Sequence, residues 1–207
     1  MTVARDERAA LVDTLTASGP DAPTLCAGWT TRDLVSHLLA RERRLDALPG
    51  IVMPQFANWT HRLERNIAAS MDWDALLAQL SSGPPLYSPF KWLDPVANVH
   101  ELFVHHEDVR RAQADWTPRP LGRDYEAALR RLTSVLCRPV MAGIPGRVTL
   151  RNPDGGVVGR VGNGPAVTVT ADPGELLQFV FGRSEIHATF DGDDDAVAAV
   201  KAAKRNV

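Results

Sequence analysis

The chain has 207 residues, of which 23 are lysine or arginine and 25 are aspartate or glutamate, for a formal net charge of −2. This length suits either one large domain or two small ones. The basic residues are dispersed among acids, which argues against a nucleic-acid partner. There is no run of eighteen apolar residues, and the N-terminus lacks the apolar core of a secretion signal. We therefore expect a cytoplasmic protein without a membrane partner.

The first two predicted helices cover residues 3–17 and 30–46. The second has a clear start, because Thr30 and Asp33 have the spacing of a capping box. His37 lies on the apolar face of this helix, where an imidazole without a partner would be out of place. We therefore expect the His37 imidazole to have a polar partner or to bind a metal.

Four more helices are predicted before residue 142, separated by connections rich in proline and glycine. The longest begins near Asp94, a cap residue followed by proline at the first helical position. The first two thirds of the chain should thus be all helical. The four helices are predicted over residues 59–70, 73–81, 95–113 and 124–141, and residues 47–58 are a predicted connection.

The pattern changes after residue 144, where short β-rich runs alternate with turn signals. This part also carries two helical patterns, and so it predicts a small α+β domain over residues 145–207 that follows a helical domain over residues 1–144. The overall fold class is then α+β. The predicted strands are 148–150, 156–161, 166–170 and 185–190, and the predicted helices are 173–181 and 193–204.

A potential metal site lies on the helix predicted over 95–113. Glu101 and His105 are four residues apart and therefore lie on one helix face, beside apolar positions. In an antiparallel bundle, His37 is the best candidate for a third ligand from a facing helix. Two imidazoles and one carboxylate would leave the fourth tetrahedral position open, as in catalytic zinc sites. Imidazole favours Zn²⁺, although nickel, iron and manganese remain compatible with these ligands.

Each of these residues also has a simpler structural interpretation. A single histidine on an apolar face is more often a satisfied core residue, and a Glu-His pair at this spacing can be a surface hydrogen bond. Nearby acids can orient ligating imidazoles or simply be solvated. Asp33 is assigned to the helix cap, and Asp108 and Glu107 are either such orienting acids or solvated acids. His100 and His106 lie off the metal-binding face. Cys26 and Cys137 are interpreted as small apolar groups.

Two segments, residues 24–38 and 101–109, resemble the mycothiol-dependent maleylpyruvate isomerase family and, more narrowly, an actinobacterial metal-binding branch of that group. The resemblance implies a DinB-like four-helix bundle over residues 1–144. It also implies that the α+β domain over residues 145–207 resembles sterol carrier protein type 2.

The same resemblance implies zinc bound by His37, Glu101 and His105, with mycothiol as the thiol cosubstrate and a small electrophile as the substrate of an isomerisation or S-transfer. The family also uses an arginine from its C-terminal domain. Arg183 is our candidate for that catalytic arginine, and Arg160 is the alternative. Two other functions stay open at this point: a non-catalytic metal- or ligand-binding protein, and a metal-dependent hydrolase in which water replaces the thiol.

Overall fold

A computed structural model describes residues 2–44, 46, 57–88, 90–91 and 98–206. The chain divides into two compact units, Met1–Trp116 and Thr117–Val207. Eight helices and one four-stranded sheet are present in the described residues, which confirms the predicted α+β class. Among these helices, none combines the length and the apolar character that a membrane span requires.

In the residues of the first unit that the structure describes, the named elements are all helices, as predicted. Its core is built mainly from leucines of several helices, including Leu11, Leu34, Leu76 and Leu102, all at most 1% exposed. The predicted start of the long helix at Asp94 lies outside the described residues, as do residues 47–56 of the predicted connection. The helices are α1 (Val3–Ser18), α2 (Thr31–Arg43), α3 (Ala57–Ser70), α4 (Trp73–Ser81) and α5 (Val99–Arg111).

Helix α2 begins at the predicted capping box. The Thr30 amide donates to Asp33 Oδ2 at 2.9 Å, and the Asp33 amide donates to Thr30 Oγ1 at 3.4 Å. These two reciprocal bonds satisfy backbone donors that the first helical turn would otherwise leave unpaired. The helix start is thereby fixed, and with it the helix face on which His37 lies.

Buried charged side chains connect α1 to α2 and α5. Arg8 forms an ion pair with Glu42, with Nη2 2.6 Å from Oε1. His106 lies 2.7 Å from Glu7 through Nδ1 and 2.8 Å from the Thr14 hydroxyl through Nε2. Because both ring nitrogens of His106 are engaged by α1, this residue has a structural role away from Glu101, as the sequence indicated.

The second unit packs three helices with a mixed sheet of order β2-β1-β3-β4, in which β1 and β3 are parallel and the other pairs antiparallel. Its core includes Val148, Leu150, Val169 and Leu176, all fully buried. The elements are α6 (Arg123–Val140), β1 (Pro145–Arg151), β2 (Val157–Val161), β3 (Asn163–Thr170), α7 (Pro173–Val180), β4 (Thr189–Gly192) and α8 (Asp194–Ala202).

Two features of this unit differ from the sequence pattern. The last strand covers Thr189–Gly192 rather than residues 185–190, because the backbone just before it bonds elsewhere: the His187 amide donates to the Glu175 carboxylate at 2.7 Å. The division between the units falls after Trp116, whereas the composition changes near residue 144. The reason is that α6 packs against α7 and β2, so a helix joins the unit that contains the sheet.

Candidate metal site

The structure brings together the three residues that the sequence singled out. His37, Glu101 and His105 each offer one ligand atom, and these atoms all lie within 4.8 Å of one another. The His37 and His105 rings meet edge to face with centroids 5.4 Å apart, and His105 Nε2 lies 3.4 Å from Glu101 Oε2. Among the described residues, this group of possible metal ligands consists of these three side chains. Helices α2 and α5 therefore present two imidazoles and one carboxylate to a common point.

Each imidazole is held by a second carboxylate through its Nδ1 atom. His37 Nδ1 lies 2.8 Å from Glu64 Oε1, and His105 Nδ1 lies 3.0 Å from Asp108 Oδ2. A carboxylate on one ring nitrogen fixes the orientation of the ring and directs the other nitrogen to a metal. Asp108 is one of the two acids for which the sequence predicts either this orienting role or a solvated position. Glu107, the other, accepts hydrogen bonds from Arg110 and Arg111.

Glu101 is kept ionised by its neighbours. Burial by itself would raise the pKa of this carboxyl, but the Arg41 guanidinium and the His105 and His100 imidazoles outweigh burial and hold the pKa well below its usual range. Arg41 Nε lies 3.4 Å from Glu101 Oε1. Glu101 is thus a carboxylate at any pH near neutrality and is ready to accept a cation.

His105 has the opposite shift. Burial lowers the pKa of its imidazole, but the Asp108 carboxylate, the Cys26 thiol and Glu101 together raise the pKa well above its ordinary value. In the absence of a metal, His105 is therefore an imidazolium at neutral pH, bonded to carboxylates through both nitrogens. It must lose one proton before it can act as a ligand.

This charge state makes metal binding dependent on pH. Because a proton competes with the metal at His105, we expect the affinity for Zn²⁺ to rise by up to about tenfold per pH unit from about pH 6 upward and to level off above the raised pKa of His105. Binding near neutral pH should release one proton from this residue. Chelator competition at several pH values measures the affinity, and calorimetry in buffers of different ionisation enthalpy counts the protons. A constant affinity from about pH 6 to pH 8 would contradict this assignment.

Two residues before α2 complete the surroundings of the imidazoles. The turn from Cys26 to Trp29, closed by the Trp29 amide on the Cys26 carbonyl, needs the positive φ of 79° at Gly28. It places the Trp29 ring 5.1 Å from the His37 ring and 6.5 Å from the His105 ring, between centroids. The tryptophan provides an apolar wall beside both imidazoles.

The same turn brings Cys26 to the outer side of His105. Its thiol donates to Asp108 Oδ2 at 3.2 Å and lies 3.9 Å from His105 Nδ1, so it contacts the nitrogen that faces away from Glu101. The interpretation of Cys26 as a small apolar group missed this polar contact. No local spacing signals it, because the thiol and Asp108 are 82 positions apart. Cys137, by contrast, is fully buried in the core of the second unit.

The two arginine candidates lie in the second unit. Arg183 follows α7, where its Nη1 donates to the Phe181 carbonyl at 2.9 Å. Arg160 is an exposed residue of β2.

Glu64 is the functional candidate that sequence reasoning missed, because its position three residues after His61 is like that of any helix acid.

Comparison with known proteins gives one family and one fold. Residues 2–76, a little over a third of the chain, match the family described as the mycothiol maleylpyruvate isomerase N-terminal domain. The matched part contains His37 and ends before Glu101 and His105. A comparison with curated proteins gives no significant match.

Two solved structures share the fold of the chain. The crystal structure of the mycothiol-dependent maleylpyruvate isomerase is 15% identical with a TM-score of 0.57, and a mutant of it in which a histidine is replaced by alanine is 14% identical with a TM-score of 0.53. Each alignment covers 91% of this chain and 90% of the other. The resemblance seen in the sequence is thus confirmed by the match of residues 2–76 to the family described as the mycothiol maleylpyruvate isomerase N-terminal domain and by the fold shared with the two solved structures.

Proposed function

We propose that the chain is a mycothiol-dependent isomerase or S-transferase that acts on a small electrophile and uses a divalent metal, preferentially Zn²⁺, held by His37, Glu101 and His105. The observation that carries the proposal is the convergence of these ligand atoms within 4.8 Å, with a second carboxylate on Nδ1 of each imidazole. Metal-ligating histidines almost always donate their other ring N–H to an acceptor of this kind. The family match and the shared fold support the choice of thiol chemistry.

The donor set fits a zinc ion chemically. Ligands of tetrahedral zinc at about 2.1 Å from the ion are about 3.4 Å from one another. Starting from the observed spread of up to 4.8 Å, the side chains need to approach by roughly 1.5 Å, which rotation of χ angles provides. With Nδ1 of both histidines engaged by carboxylates, Nε2 is the coordinating atom of each in this proposal.

A bound divalent ion would supply a Lewis acid that lowers the pKa of a thiol at the fourth position and so favours the nucleophilic thiolate. The other proposed roles belong to side chains of the protein. Glu64 and Asp108 hold the two imidazoles in orientation, Arg41 keeps Glu101 ionised, and the Trp29 ring excludes water from one side. Arg183 is our proposed cationic contact for a carboxylate on the electrophile.

The finer description of the architecture belongs to the same proposal. We infer that residues 1–144 derive from a DinB-like bundle and residues 145–207 from a domain resembling sterol carrier protein type 2. The helices α1 to α5 and the sheet with α7 and α8 support this assignment. The isolated fragment 145–207 would lose α6, which packs against α7 and β2.

The proposal is tested by titrating a cobalt-substituted sample with mycothiol or a simpler thiol. Because sulfur is a softer ligand than water, its entry into the open position should change the visible spectrum and add a thiolate charge-transfer band in the near ultraviolet. The corresponding alcohol is the control and should leave the spectrum unchanged. The His37→Ala variant, lacking a ligand, should not show the band.

The two alternative functions give different results in this experiment. A non-catalytic metal protein with a closed site would show no spectral change at about millimolar thiol, and that outcome would contradict our proposal. A hydrolase would turn over ester or amide substrates with water alone. Activity that requires an added thiol therefore separates the proposed enzyme from a hydrolase.

A further inference from the structure

The second unit contains a cavity of about 260 Å³, and of its lining residues the proposed chemistry uses only Arg183. It lies between the end of α7, the segment that leads to β4, and the end of α8. One side is apolar and the other carries three cationic side chains. The residues that matter for the argument are Phe179, Ile186, Phe190, Arg183, Lys201 and Arg205.

Two phenylalanines form the apolar side of the cavity. The Phe179 and Phe190 rings meet edge to face with centroids 5.7 Å apart. A cation lies over each ring: Lys201 Nζ is 4.1 Å from the Phe190 centroid, and Arg205 Cζ is 5.1 Å from the Phe179 centroid. Cation–π contacts of this kind hold both cations beside the apolar wall.

Arg205 is fixed in place but has bonding capacity left. Its Nη atoms donate to the carbonyls of Ala203 and Val200, whereas its buried Nε has no hydrogen-bond acceptor among the described residues. Gly182 makes this position possible, because a Cβ there would lie only 2.9 Å from Arg205 Cγ. The arginine stem thus rests directly on backbone.

Two of the three cations on this side of the cavity are not balanced by a carboxylate in the part of the second unit that the structure describes. Among the described residues, neither Lys201 nor Arg205 takes part in an ion pair with a carboxylate. Burial lowers the pKa of Arg205, and no neighbouring acid offsets the effect. A partly buried guanidinium without an anion is costly, and an anionic ligand would compensate it.

We propose that this cavity binds a small organic carboxylate, with the carboxylate group on Arg205 and Lys201 and the apolar part of the ligand on Phe179 and Phe190. The volume is slightly below the range of about 300–1,000 Å³ that holds drug-sized ligands, so the ligand is of the size of a substituted benzoate. This inference is independent of the metal site, because the proposed contacts Arg205, Lys201, Phe179 and Phe190 all lie in the second unit and have no role in the proposed metal chemistry.

The test uses benzoate as the probe and benzamide as its neutral counterpart, titrated into the full-length protein and followed by NMR chemical shifts. We expect benzoate to bind with a Kd of about 1 mM or tighter, to weaken as salt is raised, and to shift resonances of Phe179 and Phe190. Binding should be the same with and without Zn²⁺. A failure of the metal experiments would therefore leave this result unaffected.

Two variants and a matched control identify the cations. Lys201→Gln and Arg205→Gln should each weaken benzoate binding by about tenfold, since each removes one charge-assisted hydrogen bond. Lys204→Gln removes the same charge from an exposed neighbour outside the cavity lining and should change the Kd by less than about twofold. Lys201 is also exposed, so its variant should fold even where Arg205→Gln does not.

Three outcomes would each overturn the proposal: benzamide binds as tightly as benzoate, the Lys201 and Lys204 variants have equal effects, or benzoate does not bind at about 10 mM.

Discussion

The His37→Ala variant should purify with almost no bound divalent metal, whereas the unaltered chain should carry close to one ion per molecule. A structural zinc site is worth about 10–16 kcal/mol in total, so an equal share of about 3–5 kcal/mol for each of three ligands means that the loss of one should weaken binding by roughly 200-fold to 6,000-fold. His105→Ala should have an effect of the same size. Elemental analysis of purified protein gives the metal content, and chelator competition gives the change in affinity.

His61→Ala is the matched control for this prediction. His61 lies next to the site in the structure and contacts the other oxygen of Glu64, with Nδ1 3.1 Å from Oε2, but its side chain is 53% exposed and it is not part of the ligand group. Its removal should leave the metal content unchanged. Stoichiometric metal in both the His37 and the His105 variant would contradict the proposed site.

Folding is a separate concern for the two ligand variants. His105 contacts the fully buried Asp108, so its removal leaves a buried carboxylate without its imidazole partner and costs stability. The His37 side chain is 20% exposed, and its variant should unfold close to the temperature of the metal-free parent. The His37 result is therefore the more informative one. Thermal unfolding of all variants in the presence of chelator distinguishes loss of a ligand from loss of structure.

The residues that sequence alone identified are those whose position follows from local helix geometry. The capping box at Thr30 and Asp33 fixes where α2 begins, and helical periodicity then puts His37 on the buried face. The spacing of Glu101 and His105 likewise needs only one helix turn. The step between helices was a hypothesis about packing, and the 4.8 Å spread of ligand atoms agrees with it.

The residues that sequence did not identify act through contacts distant in the chain. Glu64 reaches His37 from a helix whose start is separated from α2 by a connection, and no motif marks it. Cys26 reaches Asp108 only because the turn ending at Trp29 folds back towards α5. Arg205, which follows α8, likewise meets Phe179 of α7 only through the packing of the second unit. Side chains of this kind depend on tertiary packing, which hydrophobic periodicity does not encode.

The placement of the last strand shows a related limit. Residues 185–190 carry alternating apolar side chains, which favours a strand, yet β4 starts at Thr189. The Glu175 carboxylate takes the amide of His187, and the backbone pairs with β3 only from Thr189 onward. A buried carboxylate from another helix thus overrides the local pattern. Such competition for backbone donors is decided by tertiary structure.

Glu64→Ala should weaken metal binding by about 10- to 100-fold although Glu64 is not itself a ligand, because removing a carboxylate that orients a ligating imidazole typically has an effect of this size. Burial would raise the pKa of Glu64, but His37 and His61 outweigh it and lower the pKa, so the group is a carboxylate at neutral pH. Without it, His37 loses the contact that holds its ring and makes Nε2 more basic. Chelator competition measures the change.

Glu64→Gln tests whether charge or orientation matters more. The amide oxygen can still accept a hydrogen bond from His37 Nδ1, so this variant should retain the ring orientation and lose only the charge, with a smaller loss of affinity than Glu64→Ala. A purely structural role for Glu64 predicts instead that the two variants lower the thermal stability of the metal-free protein and leave the affinity of the folded fraction unchanged. An unchanged zinc affinity in Glu64→Ala would show that His37 needs no support from α3. The pairing of His37 with Glu64 would then have no part in holding the ion.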